Sequence, residues 1–188
     1  ALLKQFLEFV RPVGRVVGEV DVNLAVREVL DDSRQEAVNR GVGLAVSLEP
    51  GLPAVTVSPA LLKQCLINLL RNAVEAIPHG GLVTVTTSRD NERVQVRITD
   101  SGRGMTSENL ENMFSPFYKG DHCEYGLGLA MVKKVVDDFG GAVEAVGQPS
   151  GGCAITLSLP PVLATATGQG LLPSPPGAAV PPPGGTSI

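Results

Sequence analysis

Gln64-Cys65-Leu66-Ile67-Asn68-Leu69-Leu70-Arg71-Asn72-Ala73-Val74-Glu75-Ala76-Ile77 decides how the chain is read. The stretch has the period of one helix, and Leu62, Leu66, Leu69, Leu70 and Ala73 form the stripe that a core would take up. Asn68, Asn72 and Glu75 follow at i, i+4 and i+7 and share a face. Two carboxamides and a carboxylate in line are oxygen ligands for a hard cation such as Mg²⁺, which in turn would hold phosphates. Taken alone, the same residues also suit a solvated helix face, where a mediocre helix former such as Asn is tolerated. The residues downstream separate the two readings.

With 188 residues the chain is long enough for one domain with a real core. Its 15 basic and 19 acidic residues give a formal charge of −4, and no Lys/Arg run suggests a nucleic-acid or membrane-surface partner. Trp is absent and aromatics make up 4%, so the core must be built from Val, Leu, Ile and Ala. Cys65, Cys123 and Cys153 are odd in number and widely spaced, which argues against a disulfide framework or a metal cluster and for a reduced, cytoplasmic setting. No apolar run of about 20 residues spans a membrane, so any anchor of the parent protein lies outside this chain.

Around the opening stretch the pattern mixes helices and strands. Residues 1–10 read as an amphipathic helix ended by Arg11-Pro12. Asp21 caps a helix running to about Arg40, closed by Gly41. Val42, Leu44, Val46 and Leu48 alternate as a half-buried strand, and Val55–Val57 is a short one. Ser58 caps the Asn-bearing helix, with Pro59 at its first position and the end near Pro78. Strands are expected over 82–88, 93–99, 142–146 and 154–159, and helices over 107–113 and 127–139. Strict βαβ alternation is missing. The expected fold class is therefore α+β, a two-layer sandwich with helices on one face of a mixed, mainly antiparallel sheet. Residues 161–188 hold seven Pro, five Gly and no charge, the composition of a disordered tail or linker.

Three further segments complete the pattern. Asp100-Ser101-Gly102-Arg103-Gly104-Met105 follows a strand, Phe114-Ser115-Pro116-Phe117-Tyr118 follows a short helix, and Gly126-Leu127-Gly128-Leu129-Ala130 opens another. A carboxylate at a strand end can accept from an exocyclic amine, and Gly102 and Gly104 let backbone approach a flat base. Gly126, Gly128 and the helix they open could offer N–H groups to phosphate. A dinucleotide-binding fingerprint is excluded by context, because a polar loop and not a strand precedes these glycines.

In this order the four segments resemble the N, G1, F and G2 boxes of the ATP-binding domain of sensor histidine kinases. That domain belongs to a superfamily shared with gyrase, heat-shock chaperone and mismatch-repair ATPases. The resemblance covers residues 1–160 and implies the two-layer, Bergerat-type fold. It divides the chain into the end of a second dimerisation helix (1–12), an ATP-binding catalytic domain (13–160) and the tail (161–188). It implies ATP and Mg²⁺ as cofactors, with Asn68 and Asn72 on the metal and Asn68, Asn72 and Glu75 along the nucleotide. It assigns Asp100 to the adenine amino group, joined by Gly102, Gly104 and Met105. Phe117, Gly126, Leu127, Gly128 and Leu129 complete the nucleotide contacts, and Lys119 is the nearest cation for phosphate. Phe114 and Phe117 are expected to root the following loop in the core.

Asn68 stands where related ATPases carry a glutamate base. An amide cannot accept a proton from water, so the γ-phosphoryl group is kept for another acceptor. The resemblance implies that this acceptor is a histidine on a dimerisation domain, followed by the receiver domain of a response regulator. Neither His79 nor His122 has the helical acidic neighbour such an acceptor needs. Asn68 and Lys119 are the expected catalytic residues. Phe-Leu-Glu-Phe-Val-Arg-Pro at 6–12 and the Asn-bearing helix are similar in wording to the nitrogen-regulation branch. The chain departs from the family at Glu124-Tyr125, where a small hydroxyl and a glycine are usual, and the segment from Tyr118 to Gly126 is short. That departure motivates an alternative: a nucleotide-binding interaction module without turnover. An anti-sigma-type serine kinase is opposed by the helix at 1–10, and a hydrolysing ATPase by Asn68.

Overall fold

The computed structural model describes residues 16–90, 92–118, 127–149 and 151–162. The expected dimerisation-helix remnant, Lys119, His122, Glu124, Tyr125, Gly126 and the tail from 163 lie outside the described residues. In chain order the elements are β1 Gly18–Val20, α1 Val22–Asn39, β2 Val42–Leu48, β3 Val55–Val57, α2 Pro59–Glu75, β4 Gly81–Asp90 and β5 Arg93–Asp100. They continue with α3 Ser107–Asn112, α4 Gly128–Asp138, β6 Ala142–Gly147 and β7 Cys153–Leu159.

Five strands form one sheet in the order β2-β4-β5-β7-β6. The β2–β4 pair is parallel and the other three are antiparallel. Alternation sets the faces: Val94, Val96 and Ile98 of β5 are buried, while Gln95, Arg97 and Thr99 point the other way. Leu62, Leu66, Leu69 and Leu70 of α2 are at most 2% exposed and join these valines in a single core with α1 and α4. The mixed sheet with helices on one face is the expected α+β sandwich.

Local chemistry explains most element ends. Asp21 Oδ1 accepts from Leu24 N at 3.1 Å and starts α1. Thr106 Oγ1 accepts from Asn109 N at 3.2 Å and starts α3. Ser58 differs from expectation. Its side chain makes no capping hydrogen bond, and α2 starts on Pro59, whose missing N–H needs no partner there. The helix ends on Ala76, ahead of the expected Pro78. In β2, Val42 is buried and Leu44 and Leu48 pack on the core, but Val46 is 48% exposed because β2 is an edge strand.

Two features had no sequence signal. β1 pairs antiparallel with β3 in a small separate sheet, and three residues are too few for a period to show. Pro161 bridges to Val55 and Val162 N donates to Ala54 O at 2.7 Å, so the chain stays against β3 through 162. A polar staple also ties α1 to the sheet. Buried Thr87 donates to Asn23 Oδ1 at 2.7 Å and accepts from Glu49 N at 3.2 Å, and Asn23 Nδ2 donates to Glu49 O at 2.8 Å. Thr87→Val leaves Asn23 Oδ1 without this donor inside the packed layer. The expected loss is about 1–3 kcal/mol of stability, read as a lower urea midpoint with unchanged slope.

Candidate functional site

The carboxyl end of β5, the last turns of α2, the start of α4 and the start of β7 surround a cavity of about 140 Å³. Its walls are apolar where Leu69, Ala73, Ile98 and Ile155 meet. Its polar groups are few: Asn72 and Glu75 from α2, Asp100 from β5, Arg103, Asn109 from α3, and Tyr118. An apolar slot with a few convergent polar groups is the usual form of a small-molecule site.

Asp100 is the buried one, at 7% exposure. Its Oδ1 accepts from Gly102 N at 2.8 Å and its Oδ2 from Cys153 N at 3.3 Å. A carboxylate has about four lone-pair sites, so each oxygen keeps acceptor capacity for an amine in the cavity. Burial pushes the Asp100 carboxyl above its ordinary value of 3.8, and the backbone N–H groups of Gly102 and Cys153 hold it back. The fold therefore binds this proton more tightly than the unfolded chain does. The resulting stability is fully present below the unfolded pKa and is lost as pH rises through the folded one. Denaturation of wild type and Asp100→Asn across the acid range should show this: the wild-type stability, relative to the variant, declines as pH rises through that window.

Of the expected residues, Asn72, Glu75, Asp100, Gly104, Met105 and Leu129 line the cavity. Gly102 stands just behind, where a Cβ would come within 2.4 Å of Ala76 O. Leu127 is buried as the N-cap of α4, and Gly128 is its first residue. A leucine cap offers no side-chain acceptor, so the first N–H groups of α4 have no side-chain cap.

Asn68 is placed differently from its helical neighbours. It is 4% exposed and fills the seam between α2 and α4 instead of the open cavity wall. Its Nδ2 donates to Gly128 O at 3.5 Å, and its Oδ1 accepts from Arg71 at 3.3 Å and Gln64 at 3.5 Å. The shared helix face holds, but α4 covers one end of it. The expected anchoring by two phenylalanines is half right. Phe114 packs on the core, whereas Phe117 is 61% exposed with φ +63°, a backbone conformation that bulky residues rarely adopt. Tyr118, next in the chain, lines the cavity and donates to Asn109 Oδ1 at 2.5 Å.

Sequence reasoning missed Arg103, Met113, Tyr118 and Cys153 as cavity residues. Tyr118 lies where no period exists, Met113 ends a helix too short to show which face is covered, and Cys153 arrives from a strand distant in sequence. Burial, then the nearby Asp100 charge, pushes the Cys153 thiol up to about 11, so the cavity sees a neutral thiol. Burial on the core side of α2 pushes the Cys65 thiol up to about 12.

The profile of the histidine kinase-, DNA gyrase B- and HSP90-like ATPases matches residues 57–163. The chain belongs to this family. Sensor histidine kinase ZraS of Klebsiella oxytoca is 36% identical over 160 residues, which is 85% of this chain and 35% of ZraS. The chain thus spans about a third of the length of that curated relative. The catalytic domain of histidine kinase ThkA superposes with TM-score 0.71 at 26% identity, covering 77% of this chain and 95% of that domain. ThkA has also been solved in complex with response regulator protein TrrA (TM-score 0.73, 25% identity, 85% of this chain and 46% of ThkA). Full-length ShkA in complex with AMPPNP gives TM-score 0.76 at 27% identity, over 85% of this chain and 35% of ShkA. The fold of this ATPase-family chain is that of histidine kinase catalytic domains. Among the described residues, no helix is long and apolar enough to cross a membrane.

Proposed function

We propose that this ATPase-family chain is the catalytic part of a sensor histidine kinase. It binds Mg-ATP and delivers the γ-phosphoryl group to a histidine on the dimerisation domain of the same protein. The observation that carries this reading is that Asn72 and Glu75 of α2 open onto the same cavity as the buried carboxylate of Asp100.

The residues fit the ligand. The apolar slot suits a purine, and the remaining lone pairs of Asp100 suit its exocyclic amine. A 6-oxo base would bring an acceptor against that carboxylate, which favours ATP over GTP. The Asn72 amide and the Glu75 carboxylate are hard oxygen donors for Mg²⁺, and a bound Mg²⁺ would screen charge on the phosphates during transfer. Asn68 holds the seam between α2 and α4, so it sets the position of the helix start at Gly128, where N–H groups without a side-chain cap favour phosphate. Lys119 and Gly126 belong to the phosphate end in this reading, and Phe117 to its rim. An amide at position 68 provides no base for water, so transfer to an imidazole is favoured over hydrolysis.

In the same reading, residues 1–12 end the dimerisation helix and 161–188, whose first two residues lie against β3, form a linker or tail. The partner downstream is a response-regulator receiver domain, and the reaction takes place in the cytoplasm. The test supplies a dimerisation fragment carrying the acceptor histidine, with γ-labelled ATP and Mg²⁺. The expected product is an acid-labile phosphohistidine on that fragment, with little phosphate released when it is omitted. Steady phosphate release without an acceptor, or nucleotide binding with no transfer, would refute the kinase reading.

A further inference from the structure

The sequence carries a glycine pair that the nucleotide reading leaves unused, Gly151-Gly152 before Cys153. It belongs to the connection from β6 to β7 and packs backbone to backbone on the Asp100-Ser101-Gly102 turn. A Cβ on Gly152 would fall 1.9 Å from Asp100 O and 3.1 Å from Asp100 Oδ1. A Cβ on Gly151 would meet Gly102 O at 3.3 Å, and one on Gly104 would meet Gly152 N at 3.3 Å. Gly151 and Gly152 also hold φ of +91° and +89°, which L side chains rarely adopt. This close approach delivers Cys153 N to Asp100 Oδ2, while Gly102 N holds Oδ1 from the opposite turn.

We propose that the Gly151-Gly152-Cys153 turn is the positioning half of the base-recognition site: by tying down the second oxygen of Asp100, it makes the site selective for a 6-amino over a 6-oxo purine. The inference rests on the nucleotide reading above. A carboxylate held at one oxygen can rotate away from a 6-oxo group and tolerate it. Held at both, Asp100 keeps an acceptor aimed at the base, rewarding an amine and leaving a carbonyl facing a carboxylate. Selectivity, and not affinity alone, therefore depends on a glycine that does not itself line the cavity.

The experiment titrates wild type and Gly152→Ala with ATP and with inosine triphosphate, whose base carries a 6-oxo group. Wild type is expected to prefer ATP by about tenfold or more, the scale of one hydrogen bond won or lost. In Gly152→Ala, ATP affinity drops by about that factor while inosine triphosphate affinity barely moves, so the preference collapses. A variant that keeps the wild-type preference, whether it binds both as before or loses both in parallel, overturns the inference. Wild type binding neither triphosphate would instead sink the nucleotide reading, and this inference with it. Should Gly152→Ala fail to fold, the amide protons of Gly102 and Cys153 in wild type can be followed by NMR through an acid titration. Both are expected to move with the Asp100 midpoint. A Cys153 amide indifferent to the midpoint that moves Gly102 overturns the proposal.

Discussion

Asp100→Asn is expected to lower ATP affinity by about tenfold or more while the domain still folds. The two side chains have nearly the same shape, but only one oxygen remains in the amide. In the wild type, Oδ1 faces Gly102 N–H and Oδ2 faces Cys153 N–H. The amide NH₂ must therefore point at one of these two donors, and its turn moves or opens. Whichever orientation wins, an acceptor is lost from the place where an exocyclic amine would sit. The effect on stability is smaller because two contributions oppose each other. A backbone N–H loses its partner, but a carboxyl whose charge burial disfavours is also removed. Binding has no such offset. Calorimetric titration with ATP beside urea denaturation of the same samples separates the two effects. Wild-type ATP affinity in the variant would show that Asp100 does not recognise the base.

Asn72→Ala carries the second large expected effect. The side chain lines the cavity, and Ala is the better helix former, so α2 should persist. The backbone carbonyl of Asn72, which accepts from Ala76 N at 3.0 Å, is untouched by the substitution. In the proposed reading the substitution takes one oxygen ligand from a cation that accepts few substitutes. The part of ATP affinity that depends on Mg²⁺ should fall by about tenfold or more. Affinity in the presence of a chelator should be unchanged, as should the far-ultraviolet circular dichroism. Equal Mg-dependent affinity in variant and wild type would move the metal away from α2.

The parts of this architecture that were legible in the sequence are those with a period or a terminating residue. The leucine stripe of α2, the alternation of Val94, Val96 and Ile98, and the Asp21 cap each state a local physical preference, and the fold satisfies them. Of the cavity, the polar edge of α2 at Asn72 and Glu75 and the carboxylate that closes β5 were legible, each from one periodic element, whereas Leu69, Ala73 and Ile98 read only as core. Other features depend on what packs against a residue from far along the chain. Asn68 reads as part of an open edge until α4 closes over it with Gly128. Phe117 reads as a core anchor by composition, yet the preceding turn leaves it at φ +63° and outside. Cys153 joins Asp100 across 53 positions of sequence, a distance at which no local pattern operates. The Gly151-Gly152 pair that permits the contact carries no period and was not read from the sequence.

The most direct measurement is a crystal structure of this chain with Mg²⁺ and a non-hydrolysable ATP analogue. The account predicts the adenine amino group within hydrogen-bonding distance of Asp100, the metal on the Asn72 side of the cavity, and phosphates toward the start of α4 at Gly128. An analogue bound away from the α2–β5 cavity, or seated in it with its base turned from Asp100, would contradict the account.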